Sequence, residues 1–445
     1  MQNFRIIDEA TDMSGTVIIE DGIITEVLQS ATHAQGIVIQ GDTLLPSGRA
    51  PALMPAFVDL HAHFRDSLVY EKETAFPVET LESASMSAAA GGFGTVVCMA
   101  NTKPAIDSIE KAAAIKSRSD VIGLVDLYPV LSLTKNLEGK ELSEITGLLE
   151  NGNSQKSFVP LMLSDDGKDV ADDALFLAAM KEAKRIGIPI SCHCDFGGSE
   201  AEAAKKAGEH RNVWSRIEEN YATKRAIELG KKAGCHIHIA HVSTKEAIET
   251  IALAKAELAA AGNGFALTCE VMPHNLSLTE NDAEKMGAES WGRVNPPLRR
   301  DDDRNALIQA VAEGKIDAIA TDHAPHSRGD KEAGAAGFSA FETAFAAAHT
   351  ELVLGAGAKI DLKRLSSIMS ANPARLIGLG DGAKKRGRIA PGYKADLVIV
   401  DTGAVWNVDS GGFKTRGKNS PFQGRRFRGK ILITLQSGRV VFQAR

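Results

Sequence analysis

Eight short apolar runs recur along the chain, at 56–61, 95–99, 123–130, 158–163, 189–193, 236–241, 266–272 and 318–321, with helical stretches such as 172–185 and 244–261 between them. This alternation constrains the fold more than any other feature. A strand followed by a helix cannot turn straight back as a hairpin, so its next partner runs parallel to it. Eight such units are enough to close a parallel sheet, and the α/β class expected is a (β/α)8 TIM-type barrel.

At 445 residues the chain exceeds what such a barrel needs, and its ends read differently from its middle. Residues 16–20, the turn Asp21-Gly22 and residues 23–27 predict a hairpin. Residues 394–401 and 430–434 are strand-like, and 436–439 reads as the turn of a closing hairpin. Matching ends around a different middle predict one small β-sandwich domain built from both termini. The expected division is 1–54 and 381–445 for that domain, with the barrel over 55–380.

The formal charge of −6 gives no basic footprint for nucleic acid or acidic lipid, so a small-molecule partner is expected. Arg425, Arg426, Arg428 and Lys430 read as a solvated face. No run approaches the roughly 18 apolar residues of a membrane span, and no secretory leader pattern opens the chain, so a soluble, cytoplasmic protein is expected. Cys98, Cys192, Cys194, Cys235 and Cys269 lie within apolar stretches, as buried thiols in a reducing compartment do. Cys192 and Cys194 flank His193 and should face away from it, as packing residues rather than zinc ligands.

In a parallel barrel, chemistry gathers at the C-terminal ends of the strands. Here the first run ends in His61 and His63, the second in Asn101, the fourth in Asp165 and Asp166, the fifth in His193, the sixth in His241, and the eighth in Asp322, His323 and His326. Each alone has an ordinary explanation as a cap, a turn residue or a core histidine. Their convergence on one rim does not. Two residues apart on a strand, His61 and His63 share a face, so both imidazoles can meet one ion. Four histidines and two carboxylates exceed the needs of one tetrahedral zinc and suit two ions about 3.5–4 Å apart. Imidazole and carboxylate without thiolate favour zinc, with manganese or cobalt as substitutes. A further carboxylate would move the proton. The reaction class is hydrolysis of an amide-like bond, or its reversal.

Of Asp165 and Asp166, one would bridge the metals and the other would be a turn residue before Gly167. His236 and His238 share a face and read as core packing. His241 differs from them in parity, so the strand must end or twist before it. His274 is open between a pocket-wall and a catalytic role, and His323 is expected behind the site.

Several segments, taken jointly, are specific: Asp59-Leu60-His61-Ala62-His63-Phe64-Arg65, Lys72-Glu73-Thr74, Gly91-Gly92, Asn101-Thr102-Lys103-Pro104, Ser164-Asp165-Asp166-Gly167, the run 241–246, Asn295-Pro296-Pro297-Leu298-Arg299, Asp322-His323-Ala324-Pro325-His326, and the run 417–422. Over nearly its whole length the chain resembles dihydroorotase of the long bacterial class (class I), in the metal-dependent amidohydrolase superfamily. The resemblance implies two Zn2+ per subunit, with His61 and His63 on one, His193 and His241 on the other, and Asp166 between them. It implies that Asp322 ligates the first metal and serves as the catalytic acid/base. Arg65 and Asn101 would hold the substrate α-carboxylate, with Asn295, His326 and Gly337 completing the pocket. The reaction implied is reversible closure of N-carbamoyl-L-aspartate to L-dihydroorotate, a step of pyrimidine synthesis. A homo-oligomer is implied as well, with aspartate transcarbamoylase as the candidate protein partner.

The chain departs from the family where Ser67-Leu68 replaces a Pro-Gly pair, which bears on the loop beside Arg65. Ala336 and Ala340 flank the retained Gly337 where larger residues or glycine are common. Leu161 stands where many relatives carry a carbamylated lysine, so the bridge falls to Asp166. Two readings compete: a related cyclic amidase (hydantoinase, dihydropyrimidinase or allantoinase), against which Arg65 and Asn101 count, and a non-catalytic dihydroorotase-like subunit of aspartate transcarbamoylase, against which the complete ligand set counts.

Overall fold

The computed structural model describes residues 1–29, 39–45, 50–66, 78–147, 158–261, 265–355, 359–383 and 385–444. The segments Ser67-Leu68 and Lys72-Glu73-Thr74 lie outside the described residues.

Four strands precede the barrel: β1 (Phe4–Ile7), β2 (Asp12–Glu20), β3 (Ile23–Leu28) and β4 (Ala52–Pro55). The parallel strands follow as β5 (Phe57–Ala62), β6 (Phe93–Cys98), β7 (Asp126–Pro129), β8 (Ile190–Cys192), β9 (His236–Ile239), β10 (Ala266–Val271) and β11 (Ala318–Ile319). They form two arcs, β5-β6-β7 and β8-β9-β10-β11. Leu163 joins the arcs by parallel bridges to Leu131 and Ile190, and His323 closes the ring by a parallel bridge to Ala62. The barrel therefore has eight parallel segments, of which the fourth, expected over 158–163, is reduced to the pairing of Leu163. Pro160 explains the reduction, because it has no N–H to place in a ladder.

The helices follow their local signals. Asp172 accepts a hydrogen bond from the Leu175 N–H at 2.7 Å and starts the helix Asp173–Ile186; Gly187, with φ +73°, ends it in the left-handed conformation. The helix Lys245–Ala261 covers the second predicted stretch.

Both ends of the chain meet in one seven-stranded mixed sheet, completed by β12 (Leu397–Asn407), β13 (Arg426–Gln436) and β14 (Arg439–Gln443), in the order β14-β13-β12-β4-β1-β2-β3. The join is the antiparallel pairing of β4 with β12, in register Leu53 with Ile399. Alternation along these strands serves two cores. Leu53, Leu397 and Ile399 pack in the sheet's own core, whereas Met54, Val398 and Val400 turn to the barrel core. Gly92 sits where the layers meet: a Cβ there would lie 2.9 Å from the Phe57 ring and 3.0 Å from Val398, and its φ is +87°. Beneath the barrel, buried Arg386 pairs with Asp126 at 2.8 Å and donates to Thr95 Oγ1 at 2.6 Å, fixing the C-terminal segment to the strand starts.

Candidate metal centre and pocket

β5 is buried throughout and delivers His61 and His63 to the barrel mouth. Asp59, two residues earlier on the same face, receives the His61 N–H at 3.2 Å and the Thr321 N–H at 3.0 Å. It thereby ties the first strand to the start of the Asp322 turn. Burial pushes Asp59 up to about 7 despite these donors. β9 ends at Ile239, and His241 follows with φ +33°, which resolves its parity. Arg65 (φ +54°) and Asp322 (φ +46°) also adopt left-handed backbone, so three of the expected site residues occupy a conformation that side-chain-bearing residues seldom take.

Asp166 is the hub. Its Oδ1 lies 3.1 Å from His61 Nε2, 3.0 Å from His193 Nδ1 and 3.8 Å from His241 Nε2, and its Oδ2 lies 3.4 Å from His63 Nε2. Asp322 Oδ1 is 3.0 Å from His63 Nε2 and 3.6 Å from His61 Nε2. Two triads result, His61-His63-Asp166 and Asp166-His193-His241, all buried and sharing one carboxylate. Asp165 points elsewhere: its Oδ1 accepts the N–H groups of Leu133 at 2.7 Å and Thr134 at 3.0 Å, bracing the neighbouring loop.

These residues fit divalent cations. Metal bonds of about 2.0–2.1 Å in tetrahedral geometry place donor atoms roughly 3.3 Å apart, the spacing around Asp166. His61 Nε2 is buried with no hydrogen-bond partner among the described residues. The outer ring nitrogens are held: His61 Nδ1 faces Glu270 Oε1 at 2.9 Å, His63 Nδ1 faces Asn101 Oδ1 at 2.8 Å, and His193 Nε2 faces Asp195 Oδ2 at 3.1 Å. Acceptors at those positions turn the remaining nitrogens inward as ligands. Burial works against charge on Asp166 and Asp322, yet the surrounding imidazoles, His61 foremost, outweigh it and hold both well below the usual carboxylate range.

Above the centre opens a cleft lined by His63, Arg65, Asn101, Asn295, Asp322 and Gly337 among others. Arg65 Nε is buried without a partner among the described residues, and burial lowers its pKa. Asn101 gives its oxygen to His63, which leaves its amide N–H groups for the cleft. Asn295 Oδ1 accepts from Arg211 Nη2 at 3.0 Å, and its Nδ2 stands 3.4 Å from His193 Nε2. A Cβ on Gly337 (φ +134°) would meet Ala324 Cβ at 2.5 Å. His326 stands behind this wall, its Nε2 donating to the Ala336 carbonyl at 2.8 Å; burial, with Arg65 nearby, lowers it to about 4 and keeps it neutral.

The other histidines separate. His323 Nδ1 accepts the Ala340 N–H at 3.1 Å and its ring stacks on Phe341 at 4.2 Å, behind the site as expected. His274 is buried edge-on to Phe338 at 5.3 Å, and burial lowers it to about 4. His238 is more than core packing, since its Nε2 lies 3.1 Å from Glu270 Oε2. Cys192 and Cys194 are buried free thiols, raised well above the usual range chiefly by burial, and stand outside both ligand triads. Sequence reasoning passed over Glu270 and Asp195. A carboxylate inside an apolar strand signals the first, and the two-residue spacing after His193 signals the second.

Residues 52–441 match the family described as "Amidohydrolase family". A dihydroorotase of Clostridium botulinum is 37% identical over 443 residues, covering 100% of this chain and 99% of that protein. A dihydroorotase of Aquifex aeolicus is 33% identical over 454 residues, with 100% and 99% covered. Among solved structures, the L-hydantoinase (dihydropyrimidinase) of Arthrobacter aurescens superposes with a TM-score of 0.82 at 25% identity, covering 99% of this chain and 95% of that one. The dihydropyrimidinase of Brevibacillus agri gives 0.80 at 21% identity, covering 99% and 94%, and so shows the fold alone. With a family match over residues 52–441 and full-length relatives of one name, the chain belongs to the amidohydrolase family, in its dihydroorotase branch.

Proposed function

We propose that this chain catalyses the reversible cyclisation of N-carbamoyl-L-aspartate to L-dihydroorotate. The observation that carries the proposal is Arg65: a guanidinium whose buried Nε has no partner among the described residues, lining the cleft directly above a histidine–carboxylate centre. Its planar fork suits a substrate carboxylate, which hydantoins and dihydropyrimidines lack at the corresponding place. The full-length relatives named dihydroorotase support the same choice over a hydantoinase.

His61 and His63 would hold one zinc ion, His193 and His241 a second, with Asp166 shared and Asp322 on the first. When bound, such cations supply Lewis acidity, raising the acidity of water and polarising a carbonyl. In the hydrolytic direction, Arg65 and the Asn101 amide hold the ring carboxylate and orient the amide carbonyl toward the centre. Asn295, His326 and the close-packed Gly337 shape the wall. Asp322 takes a proton from the attacking water and returns it to the departing ring nitrogen as the C–N bond breaks. In the synthetic direction the nitrogen closes on the carbon of the side-chain carboxyl group in its acid form, and Asp322 accepts the nitrogen's proton and passes it to the departing hydroxyl, which leaves as water when the C–O bond breaks.

We extend the proposal to a division at 54/55 and 380/381; the first lies one residue before β4 of the terminal sheet ends at Pro55 and the barrel begins with β5 at Phe57. The proposal also includes a cytoplasmic setting, supported by five buried free thiols, and a homo-oligomer for which aspartate transcarbamoylase is the candidate partner. Among the described residues, no helix is long and apolar enough to cross a membrane. The test is turnover in both directions by zinc-loaded protein, with metal content measured on the same sample and hydantoin and dihydrouracil as competitors. Activity confined to the hydantoin-type substrates would overturn the assignment, and a metal-free, inactive chain would favour the scaffold subunit.

A further inference from the structure

Glu270 lies within β10, fully buried inside the barrel. Its Oε1 faces His61 Nδ1 at 2.9 Å, and its Oε2 faces His238 Nε2 at 3.1 Å. An ionised carboxylate only accepts, so His61 Nδ1 carries the hydrogen of its bond to Oε1; His238 Nε2 stands at ion-pair distance from Oε2 without a hydrogen bond between them. A neutral His238 with its hydrogen on Nε2 presents a bare Nδ1, 2.9 Å from Thr268 Oγ1, and the hydroxyl donates there. The same Oγ1 accepts from His236 Nε2 at 2.9 Å. This assignment of hydrogens suits each hydrogen bond here, the two of Thr268 with His236 and His238 and that of Glu270 with His61. It leaves His61 Nε2 bare, the atom that stands 3.1 Å from Asp166 and has no hydrogen-bond partner among the described residues. The reversed assignment would put a hydrogen on that nitrogen and remove it as a ligand.

We propose that Glu270, backed by His238, is a positioning residue that fixes His61 in the tautomer whose Nε2 faces the cation. The inference rests on the metal-centre reading above. Glu270 touches neither the cleft nor the reacting atoms. It acts through His61 alone, as an acceptor behind a ligating imidazole. A glutamine in its place could turn its NH2 toward His61 Nδ1 and stabilise the tautomer that cannot ligate.

The test compares the full chain with its Glu270→Gln and His238→Leu variants. Zinc affinity is measured by chelator competition, the melting temperature on metal-free protein, and the histidine tautomers by 15N NMR on zinc-loaded protein. In Glu270→Gln, zinc affinity falls about 10- to 100-fold, the metal-free melting temperature stays close to that of the parent, and the Nδ1–H signal of His61 weakens. His238→Leu, which removes the imidazole facing Oε2, weakens binding in the same direction by a smaller factor. Zinc affinity unchanged in both variants overturns the inference, as does a loss seen only together with a collapsed melting temperature. A parent chain that takes up no zinc overturns the metal-centre reading itself.

Discussion

The side-chain amide of Asn419 donates to the carbonyl of Gly337 at 3.0 Å, so a residue of the C-terminal segment holds one wall of the cleft. The same amide donates to Ala324 O at 3.0 Å, while its oxygen accepts the His326 N–H at 3.0 Å and the Ser339 hydroxyl at 2.8 Å. All four hydrogen-bonding positions of one buried side chain are thus spent on joining the Asp322–His326 turn to the segment after Gly337. Asn419→Ala should raise KM about tenfold with a smaller change in kcat and unchanged zinc content. It should also cost about 3 kcal/mol of stability, from the partners left unsatisfied. Steady-state kinetics with a denaturation curve on each protein reads all three.

Arg65→Ala should keep its metal and lose substrate affinity, with KM up about ten- to a hundredfold, the worth of a charge-assisted carboxylate contact. An unchanged KM would mean that the substrate carboxylate lies elsewhere in the cleft.

Asp322→Ala should lower kcat by about 10²- to 10⁴-fold, the range for loss of a general acid/base, with the Asp166 triads still loaded with metal. Kinetics alongside metal analysis separates a lost proton carrier from a lost ion. Full activity in this variant would remove Asp322 from the mechanism.

Glu342 offers a pH test away from the centre. Burial raises it to about 7, although Ser87 Oγ at 2.9 Å and the Lys414 N–H at 2.6 Å donate to it. A carboxyl raised on folding binds its proton more tightly in the native state. Its contribution is therefore favourable at low pH and declines as pH rises from about 4.5 to about 7. Glu342→Gln, which keeps the acceptor oxygen, should match the parent below that window. Above it, the variant should be more stable by something on the order of 3 kcal/mol. Urea unfolding at several pH values reads the difference, and a gap that narrows toward high pH would reverse the assignment.

The sequence by itself determined the alternation of strands and helices, and with it the barrel and the rim where His61, His63, Asp166, His193, His241 and Asp322 converge. Those features depend on periodicity and on polar residues that end apolar runs, both local properties of the chain. Even the odd parity of His241 was legible, because a strand's two-residue period makes the misfit visible before the turn is seen. The residue pattern alone left Asp165 and Asp166 open, since neighbours on a loop have no period to separate them; the family resemblance favoured Asp166, and the fold gives the two carboxylates different partners on other elements. The fourth strand shrank to Leu163 because ladder pairing requires donors that Pro160 lacks and neighbours that only the closed ring supplies. Glu270 took its role from His61, 209 residues distant in sequence, and Asn419 took its own from Gly337, 82 residues away. A buried polar group must be satisfied by whatever the fold brings beside it, and that proximity is a property of the closed barrel and the sheet joined to it rather than of any one segment.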